Sequence, residues 1–388
     1  MADTSNLSQF LTDVADAIRT KKETTEPIPA VNFDTEILSI ETGSQENLQE
    51  QLDAQDLIIQ QLQEELSDKA IYDCNYYNAR LVPTNGKITS YITEISKQLD
   101  TSSITDMTYM FQDCTNLTTI SQLNTSSVTT MNYMFYGCTS LTTIPELNTS
   151  SVTSMLGMFQ NCTNLTNIPL LDTSNVTSMY YMFYGCKNLT NIPELNTSSV
   201  TEMVNMFSNC KNLSEIPLLD TSNVTSMSGM FNGCTSLTTI PELNTSNVTK
   251  MSNMFQNCTN LANIPQLDTI NATTMYSMFN DCKNLTTIPL LNTSSVTEMS
   301  NMLYKCTNLT TIPLLNTSKV TNMTNMFNGC NSLSDESLNN ILAMCTNATA
   351  YTKTKTLNYI GLTSEQATKC MTLSNYQAFL DAGWITGY

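Results

Sequence analysis

Histidine is absent from this 388-residue chain, and its 16 lysines and arginines are outnumbered by 34 aspartates and glutamates. Without histidine, Ser–His and Cys–His nucleophile pairs and the commonest metal ligand are excluded. A net charge of −18 with no basic run argues against nucleic acid as a partner. No glycine-rich phosphate loop is present. We therefore expect no enzyme, no catalytic residues, no cofactor and no metal.

Long apolar runs are also missing. No apolar stretch approaches 18 residues, so the sequence predicts no membrane span. The first ten residues, MADTSNLSQF, lack the apolar core of a signal peptide, and a standard secretory signal is not expected.

Cysteine, in contrast, recurs at a fixed interval of 24 residues. The ten copies are Cys114, Cys138, Cys162, Cys186, Cys210, Cys234, Cys258, Cys282, Cys306 and Cys330. A fixed period of this length is typical of a solenoid, in which stacked repeats bury each other's apolar faces. The repeat block extends from about residue 100 to residue 330.

Each repeat has one set of apolar positions. The copy at 149–172 gives an inward set of Val152, Met155, Met158, Phe159, Cys162, Leu165, Ile168 and Leu171. The i, i+3, i+4, i+7 spacing from Met155 to Cys162 predicts a short helix. The segment 165–168 predicts a short strand that ends at Pro169.

Methionine and cysteine are soft side chains that fill irregular cores, so buried, reduced thiols are expected. A metal-binding thiolate ladder is disfavoured, because C-x-x-C and histidine are both absent. The acidic column at Asp172, Asp220 and Asp268 alternates with Asn196 and Asn244, which indicates Asx turns and not a metal cage.

The pattern Val128-Thr-x-Met131-x-x-Met134-Phe135-x-x-Cys138-x-x-Leu141 resembles the bacterial surface-protein (BspA-like) type of leucine-rich repeat. That resemblance covers about 230 residues. It implies an α/β, leucine-rich-repeat-like solenoid with one short strand and one short helix per coil. It implies a binding surface without fixing one activity.

The N-terminal part is different in character. Residues 1–43 contain two short amphipathic segments, around Leu7–Ile18 and Phe33–Ile40, separated by TTEPIPA. This arrangement resembles the N-terminal attachment segment of tail-fibre and minor structural proteins in phages and prophages of Gram-positive bacteria. The resemblance implies contact with other virion or tail proteins through residues 1–43.

Residues 44–70 carry a heptad pattern over about three heptads, which predicts a coiled coil. Its seam consists of Leu48, Leu52, Gln55, Ile59, Leu62 and Leu66. The phage resemblance favours a homotrimer, and the seam alone also allows a dimer or one helix packed on its own chain. Residues 71–99 are predicted to be a connector or N-terminal cap.

Residues 331–388 lose the period and predict a helical C-terminal cap for the solenoid. Ser334 and Thr363 are expected N-caps, and Gly383 is an expected C-cap. Phe379 and Trp384 are expected to pack on the last coil.

Two outward features differ between repeats. The first four repeats carry tyrosines at outward positions: Tyr109, Tyr133, Tyr136, Tyr180, Tyr181 and Tyr184. Together they predict an aromatic patch for a host-surface glycan or protein. A second column follows the prolines and alternates Glu146, Leu170, Glu194, Leu218 and Glu242, which indicates either a binding site or duplication of a two-repeat unit.

Together with the resemblance to tail proteins, these patterns lead us to expect a non-enzymatic phage or prophage tail protein, located in the virion and assembled in the bacterial cytoplasm, whose repeats recognise a host surface. The alternatives are a bacterial cell-surface adhesin and a purely structural virion spacer.

Overall fold

The computed structural model describes residues 94–95, 101–120 and 122–387. The chain divides into two units, Met1–Leu66 and Ser67–Tyr388, and the description below concerns the second. The predicted attachment segment 1–43, the coiled coil 44–70 with its seam residues, and most of the connector 71–99 lie outside the described residues.

Consecutive 24-residue coils stack through parallel backbone hydrogen bonds. We number the coils 1 to 10 by their cysteines, from Cys114 in coil 1 to Cys330 in coil 10. In coil 1 the N–H groups of Met107, Tyr109 and Phe111 each donate to a carbonyl 23 residues later, at 2.8–2.9 Å. A column of parallel bridges runs from Asp106 to Asn322, one residue per coil. The predicted leucine-rich-repeat-type solenoid is therefore confirmed.

The predicted helix in each coil is wrong. The segment from the first methionine to the cysteine is a chain of turns, with i to i−3 hydrogen bonds such as Met158 N–H to the Met155 carbonyl at 3.2 Å. Two residues per coil adopt positive φ, for example Gly157 at 57° and Asn161 at 63°, which an α-helix does not allow. The remaining N–H groups donate to carbonyls of the next coil. The inward side chains keep the i, i+3, i+4, i+7 spacing, although the backbone is not helical.

The predicted strand is also displaced. The coils meet mainly at the residue before the first methionine, and the segment 165–168 contributes one backbone bond, from Thr166 N–H to the Thr142 carbonyl at 3.2 Å. Within the described residues, full strands occur only at the N-terminal end. There β1 (Glu94–Ile95) pairs in parallel with β2 (Thr119–Ile120), with Glu94 opposite Thr119.

The core is one continuous column of the predicted inward side chains. All eight inward positions of coil 3 are buried. The phenylalanines stack face to face from Phe111 to Phe279, with ring centroids 5.4–5.8 Å apart and planes within 12°. Leu303 ends this ladder in coil 9. Each ring therefore packs against both neighbours, which an isolated repeat does not provide.

The cysteine in each coil has a specific hydrogen bond. Cys138 Sγ donates to the Phe111 carbonyl of the preceding coil at 3.0 Å, and the same bond recurs up to Cys330, which donates to Leu303. All twelve cysteines in the described part are buried and unbridged, as expected for reduced thiols. A small apolar side chain with an S–H group thus fills the core and also satisfies a buried carbonyl.

Buried threonines link the coils on another side. Thr125, which is 1% exposed, donates its hydroxyl to the Asn148 carbonyl of the next coil at 2.9 Å. Asn148 Oδ1 in turn accepts from the backbone N–H of Ser150 at 3.1 Å, as the predicted Asx turn requires. Asp172 does the same with Ser174, and these hydrogen bonds from Ser174 lower the pKa of its carboxyl group.

Three helices close the C-terminal end: α1 (Asp335–Asn347), α2 (Ser364–Cys370) and α3 (Tyr376–Asp381). Ser334 caps α1, and Thr363 caps α2 through a capping box with Gln366. Gly383 follows α3 with φ 81°. The rings of Phe379 and Trp384 are fully buried, with centroids 6.0 Å apart. This segment covers the apolar end of the last coil.

Candidate binding surface

The six tyrosines occupy turn positions and not helix faces. Tyr109, Tyr133 and Tyr181 lie two residues after the first methionine of their coils, where the backbone adopts φ of 53–61°. In other coils the same position holds glycine, asparagine or serine, as in Asn205 and Gly229. All six tyrosines are half-buried.

The tyrosines of coils 1 and 2 contact each other directly. The rings of Tyr109 and Tyr133 stack, with centroids 5.1 Å apart and planes at 3°. Tyr136 meets Tyr133 nearly at right angles, at 6.0 Å. These three side chains form the first half of what we call the tyrosine cluster.

Coil 4 contributes the second half. Tyr181 lies between Tyr180 and Tyr184, with centroid distances of 4.4 Å and 5.2 Å and interplanar angles of 67° and 64°. The four-residue spacing of Tyr180 and Tyr184 would place both on one face of a helix. In the structure Tyr181 makes both contacts.

Gly157 of coil 3 lies between the two halves. A Cβ atom built on Gly157 would lie 2.3 Å from Tyr133 Cε1, so the ring of Tyr133 occupies the space that a side chain would need. The pKa of Tyr133 is raised, first by burial and then by the charges of Tyr109, Tyr181 and Tyr136. Burial likewise raises the pKa of Tyr180, with Tyr181 and Tyr133 contributing. The two halves therefore lie near each other, on either side of coil 3.

Polar groups accompany these rings. Asn132 Oδ1 accepts from the Ser154 hydroxyl at 2.7 Å and from the Leu156 N–H at 3.0 Å, both in coil 3. Rings beside fixed amide and hydroxyl groups can combine apolar contact with directional hydrogen bonds. This combination suits a glycan or a protein surface.

Three of the tyrosines adopt a backbone conformation that is unusual for their residue type. A non-glycine residue in the left-handed region is strained by roughly 1–2 kcal/mol, and asparagine is the residue that tolerates it best. Tyr109, Tyr133 and Tyr181 are placed there, whereas the other coils use glycine, asparagine or, in coil 8, serine. Stacking, worth about 0.5–1.5 kcal/mol per ring pair, offsets part of this strain. The left-handed turn recurs at this position in every coil, so it belongs to the repeat as a whole.

Among the described residues, no group of three or more potential metal ligands is close enough to hold an ion. No helix in the same part of the chain has the length and apolarity needed to cross a membrane.

The stacked coils, the buried ladders and the 24-residue period define a leucine-rich-repeat-type solenoid. The sequence profile of the family described as "Mycoplasma protein of unknown function, DUF285" matches residues 84–191, 178–288, 238–341 and 285–356. The chain belongs to this family. The resemblance of its repeats to bacterial surface-protein leucine-rich repeats is thereby confirmed, whereas the matches begin after the predicted attachment segment and coiled coil.

Several solved structures are similar in fold. They include a leucine rich cell surface protein from Faecalibacterium prausnitzii, with 18% identity, a TM-score of 0.31 and coverage of 63% of this chain and 82% of that chain. A leucine-rich repeat protein from Eubacterium ventriosum has 21% identity, a TM-score of 0.35 and coverage of 61% and 79%. One from Bacteroides ovatus has 18% identity, a TM-score of 0.32 and coverage of 63% and 78%. No curated protein matches the sequence.

Proposed function

We propose that the chain is a non-enzymatic adhesion protein of a bacterial cell surface, and that the tyrosine cluster is its contact with a host glycan or protein. The observation that carries this proposal is the set of six half-buried tyrosines in two groups of contacting rings, one on coils 1 and 2 and one on coil 4. Three of the tyrosines are held in a backbone conformation that favours glycine or asparagine. The resemblance of the repeats to those of bacterial surface proteins supports the location.

The ring geometry bears on the kind of ligand. In the Tyr109–Tyr133 stack the two rings turn one face toward each other, and Cδ1 and Cε1 of Tyr133 fill the space beside Gly157. A sugar ring that needs a free aromatic face would find it at the tyrosines set at steep angles, such as Tyr136 and Tyr184. A protein partner would use ring edges and hydroxyl groups equally well.

The test replaces Tyr133, Tyr136, Tyr180 and Tyr184 together by serine and measures adsorption of the labelled full chain to bacterial and cultured mammalian cells. We expect adsorption to one cell type and its loss in the variant. The matched control is Tyr276→Ser with Tyr304→Ser, at equivalent positions of coils 8 and 9, which should leave adsorption unchanged. Periodate treatment of the cells destroys glycans and protease treatment destroys proteins, so the two treatments distinguish the ligand classes.

A substitution at the strained position separates function from stability. Tyr181→Asn relieves the left-handed strain, about 1–2 kcal/mol, and loses two ring contacts of about 0.5–1.5 kcal/mol each. Because these changes are similar in size and opposite in sign, the melting temperature should hardly move while adsorption falls. Unchanged adsorption in both the fourfold variant and Tyr181→Asn, with the fold retained, would exclude the tyrosine cluster.

A second candidate function is host recognition by a phage or prophage tail, with the protein in the virion. It is favoured by the heptad pattern at 44–70 and by the resemblance of residues 1–43 to tail-protein attachment segments. In that setting residues 1–43 would bind other tail proteins, and three chains would associate. Immunogold labelling of induced phage particles and of intact bacterial cells tests the two locations against each other. If the protein adsorbs to neither cell type, the result favours the third alternative, a purely structural spacer.

A further inference from the structure

A second surface feature lies apart from the tyrosine cluster in the repeat. The residue after the proline of coils 2–9 forms a column that we call the Leu/Glu stripe. Its members are Glu146, Leu170, Glu194, Leu218, Glu242, Gln266, Leu290 and Leu314. The leucines are unusually exposed for large apolar side chains, with Leu170 at 72% and Leu218 at 76%.

The leucines of the stripe contribute little to the solenoid core. In the coils on either side of Leu170 and Leu218 the same position holds glutamate, so the fold tolerates a charge there. The next residue, such as Leu171 or Leu219, supplies the buried side chain at this corner of the coil. Exposed apolar side chains that recur on one line are a mark of an interaction surface.

Two surface depressions open on the stripe. One, of about 430 Å³, is lined by Leu170, Leu171 and Glu194 together with the turn residues beside them. The other, of about 520 Å³, is lined by residues that include Gln266, Leu290 and Leu314. Each depression lies between neighbouring coils, and in the first of them a ligand that follows the solenoid axis would meet both leucine and glutamate.

The backbone in the stripe accepts hydrogen bonds from side-chain amides. Gln122 Nε2 donates to the Glu146 carbonyl at 2.7 Å, and Gln266 Nε2 donates to the Leu290 carbonyl at the same distance. Among the described residues, no backbone hydrogen bond joins stripe positions of adjacent coils. The carbonyls of the stripe are thus placed to accept from an N–H donor outside the backbone ladder.

The charge of the Leu/Glu stripe indicates what kind of partner can bind there. The carboxylates of Glu146, Glu194 and Glu242 are exposed and form no ion pair with any described residue. A second copy of this chain, with its own net charge of −18 and its own glutamates, would be repelled, as would an anionic lipid or nucleic acid. The same negative charge attracts a cationic partner.

The distance between the leucines of the stripe indicates which peptide conformation fits it. Coils paired like parallel strands are about 4.8 Å apart, so Leu170 and Leu218, two coils apart, are separated by about 9.6 Å. A polyproline II helix brings every third residue to one face at a repeat of about 9.3 Å. A β-strand alternates its faces, so residues three apart point to opposite sides.

We propose that the Leu/Glu stripe of coils 2–6 binds an extended, cationic peptide segment in the polyproline II conformation. Apolar residues at every third position contact Leu170 and Leu218, lysines or arginines pair with the three glutamates, and side-chain donors reach the carbonyls. This site is separate from the proposed tyrosine cluster, and its test does not depend on the outcome of the cell-adsorption experiment.

The test uses the full chain and a fluorescent peptide of five Leu-Lys-Pro triplets, with binding followed by fluorescence anisotropy. We expect saturable binding that weakens with added salt, and no binding of the Leu-Glu-Pro analogue. Leu170→Ser with Leu218→Ser, and separately Glu194→Lys, should each weaken binding at least roughly tenfold. Because these side chains are exposed, circular dichroism and melting temperature should not change.

Matched controls separate a specific site from general attraction to an acidic protein. Leu290→Ser with Leu314→Ser removes two exposed leucines that have no glutamate between them, and Glu336→Lys changes the charge on α1 by the same amount as Glu194→Lys. Both controls should retain full affinity. No binding up to about 1 mM, or equal losses in the controls, would overturn the proposal. Tighter binding of a cationic amphipathic helix of equal charge would overturn the assigned conformation.

Discussion

The ring of Tyr133 lies over Gly157, so close that a Cβ atom on this glycine would be 2.3 Å from Cε1 and 2.4 Å from Cδ1 of the ring. Gly157 also has φ of 57°, a conformation it shares with the equivalent residue of the other coils. The glycine therefore permits the turn and also leaves room for the ring of Tyr133.

This relationship predicts that Gly157→Ala disrupts the tyrosine cluster. The new methyl group must displace the Tyr133 ring, and the left-handed backbone adds strain of about 1–2 kcal/mol. We expect a lower melting temperature, an altered near-ultraviolet circular dichroism signal from tyrosine, and weaker cell adsorption.

Gly229→Ala is the matched control for Gly157→Ala. Gly229 occupies the same turn position with φ of 63°, but its missing side chain faces Asn205 instead of a tyrosine. It should lower the melting temperature to a similar degree and leave the tyrosine signal unchanged. If the tyrosine signal responds equally to both variants, Gly157 has no special part in the cluster.

The phenylalanine ladder makes a prediction about stability. Phe207 is fully buried and stacks on Phe183 and Phe231 at 5.7 and 5.8 Å. Phe207→Ala should cost about 3–5 kcal/mol, because it leaves a cavity with neighbours on both sides. Tyr184→Ala, at a half-buried ring, should cost much less. Urea unfolding of both variants gives the comparison, and similar losses would contradict the assigned roles.

The eight inward positions of coil 3, from Val152 to Leu171, were predictable from the sequence because burial imposes the same apolar residues on every coil. The backbone between Met155 and Cys162 was not, since consecutive turns place the same residues inward as a helix would. A signal was available: glycine and asparagine recur at two positions per coil, as at Gly157 and Asn161, where a helix has no use for them.

The candidate site was predictable only in part. Sequence identified the tyrosines, because they are the outward residues that vary between coils. It did not reveal that Tyr133 reaches across Gly157 or that three tyrosines occupy left-handed turns. These facts depend on contacts between residues 24 or more positions apart, and outward positions show no periodic pattern that would indicate them. The hydrogen bond from each thiol to a carbonyl 27 residues earlier was missed for the same reason.

The heptad pattern at 44–70 makes a prediction about assembly. Leu48, Leu52, Ile59, Leu62 and Leu66 should join three chains, so light scattering of the full chain at micromolar concentration should give the mass of a trimer. Deletion of residues 1–70 should leave a folded monomer, because the solenoid has its own core. A monomeric full chain would rule out the coiled coil. A dimer would mean that the coiled coil has two chains and not three.

Buried thiols predict that stability falls steeply in alkali. Burial raises the pKa of eleven cysteines, with Cys258, Cys330 and Cys370 reaching about 12. An unfolded thiol ionises near pH 8.5. Because the pKa is higher in the folded chain, the protonated thiols stabilise the fold fully below about pH 8.5, and this contribution is lost as the pH rises toward 12.

Each such thiol should lower the free energy of unfolding by about 1.4 kcal/mol per pH unit within this range, so unfolding should begin soon after pH 9. Circular dichroism between pH 7 and pH 11 measures the transition. Iodoacetamide should leave the native thiols unmodified at pH 8 and label them only after the transition. Cys258→Ala with Cys282→Ala should reduce the steepness of the pH dependence, which separates the thiols from tyrosines and lysines that titrate in the same range. A free energy of unfolding that stays constant from pH 8 to pH 11 would show that the thiols are not held protonated by the core.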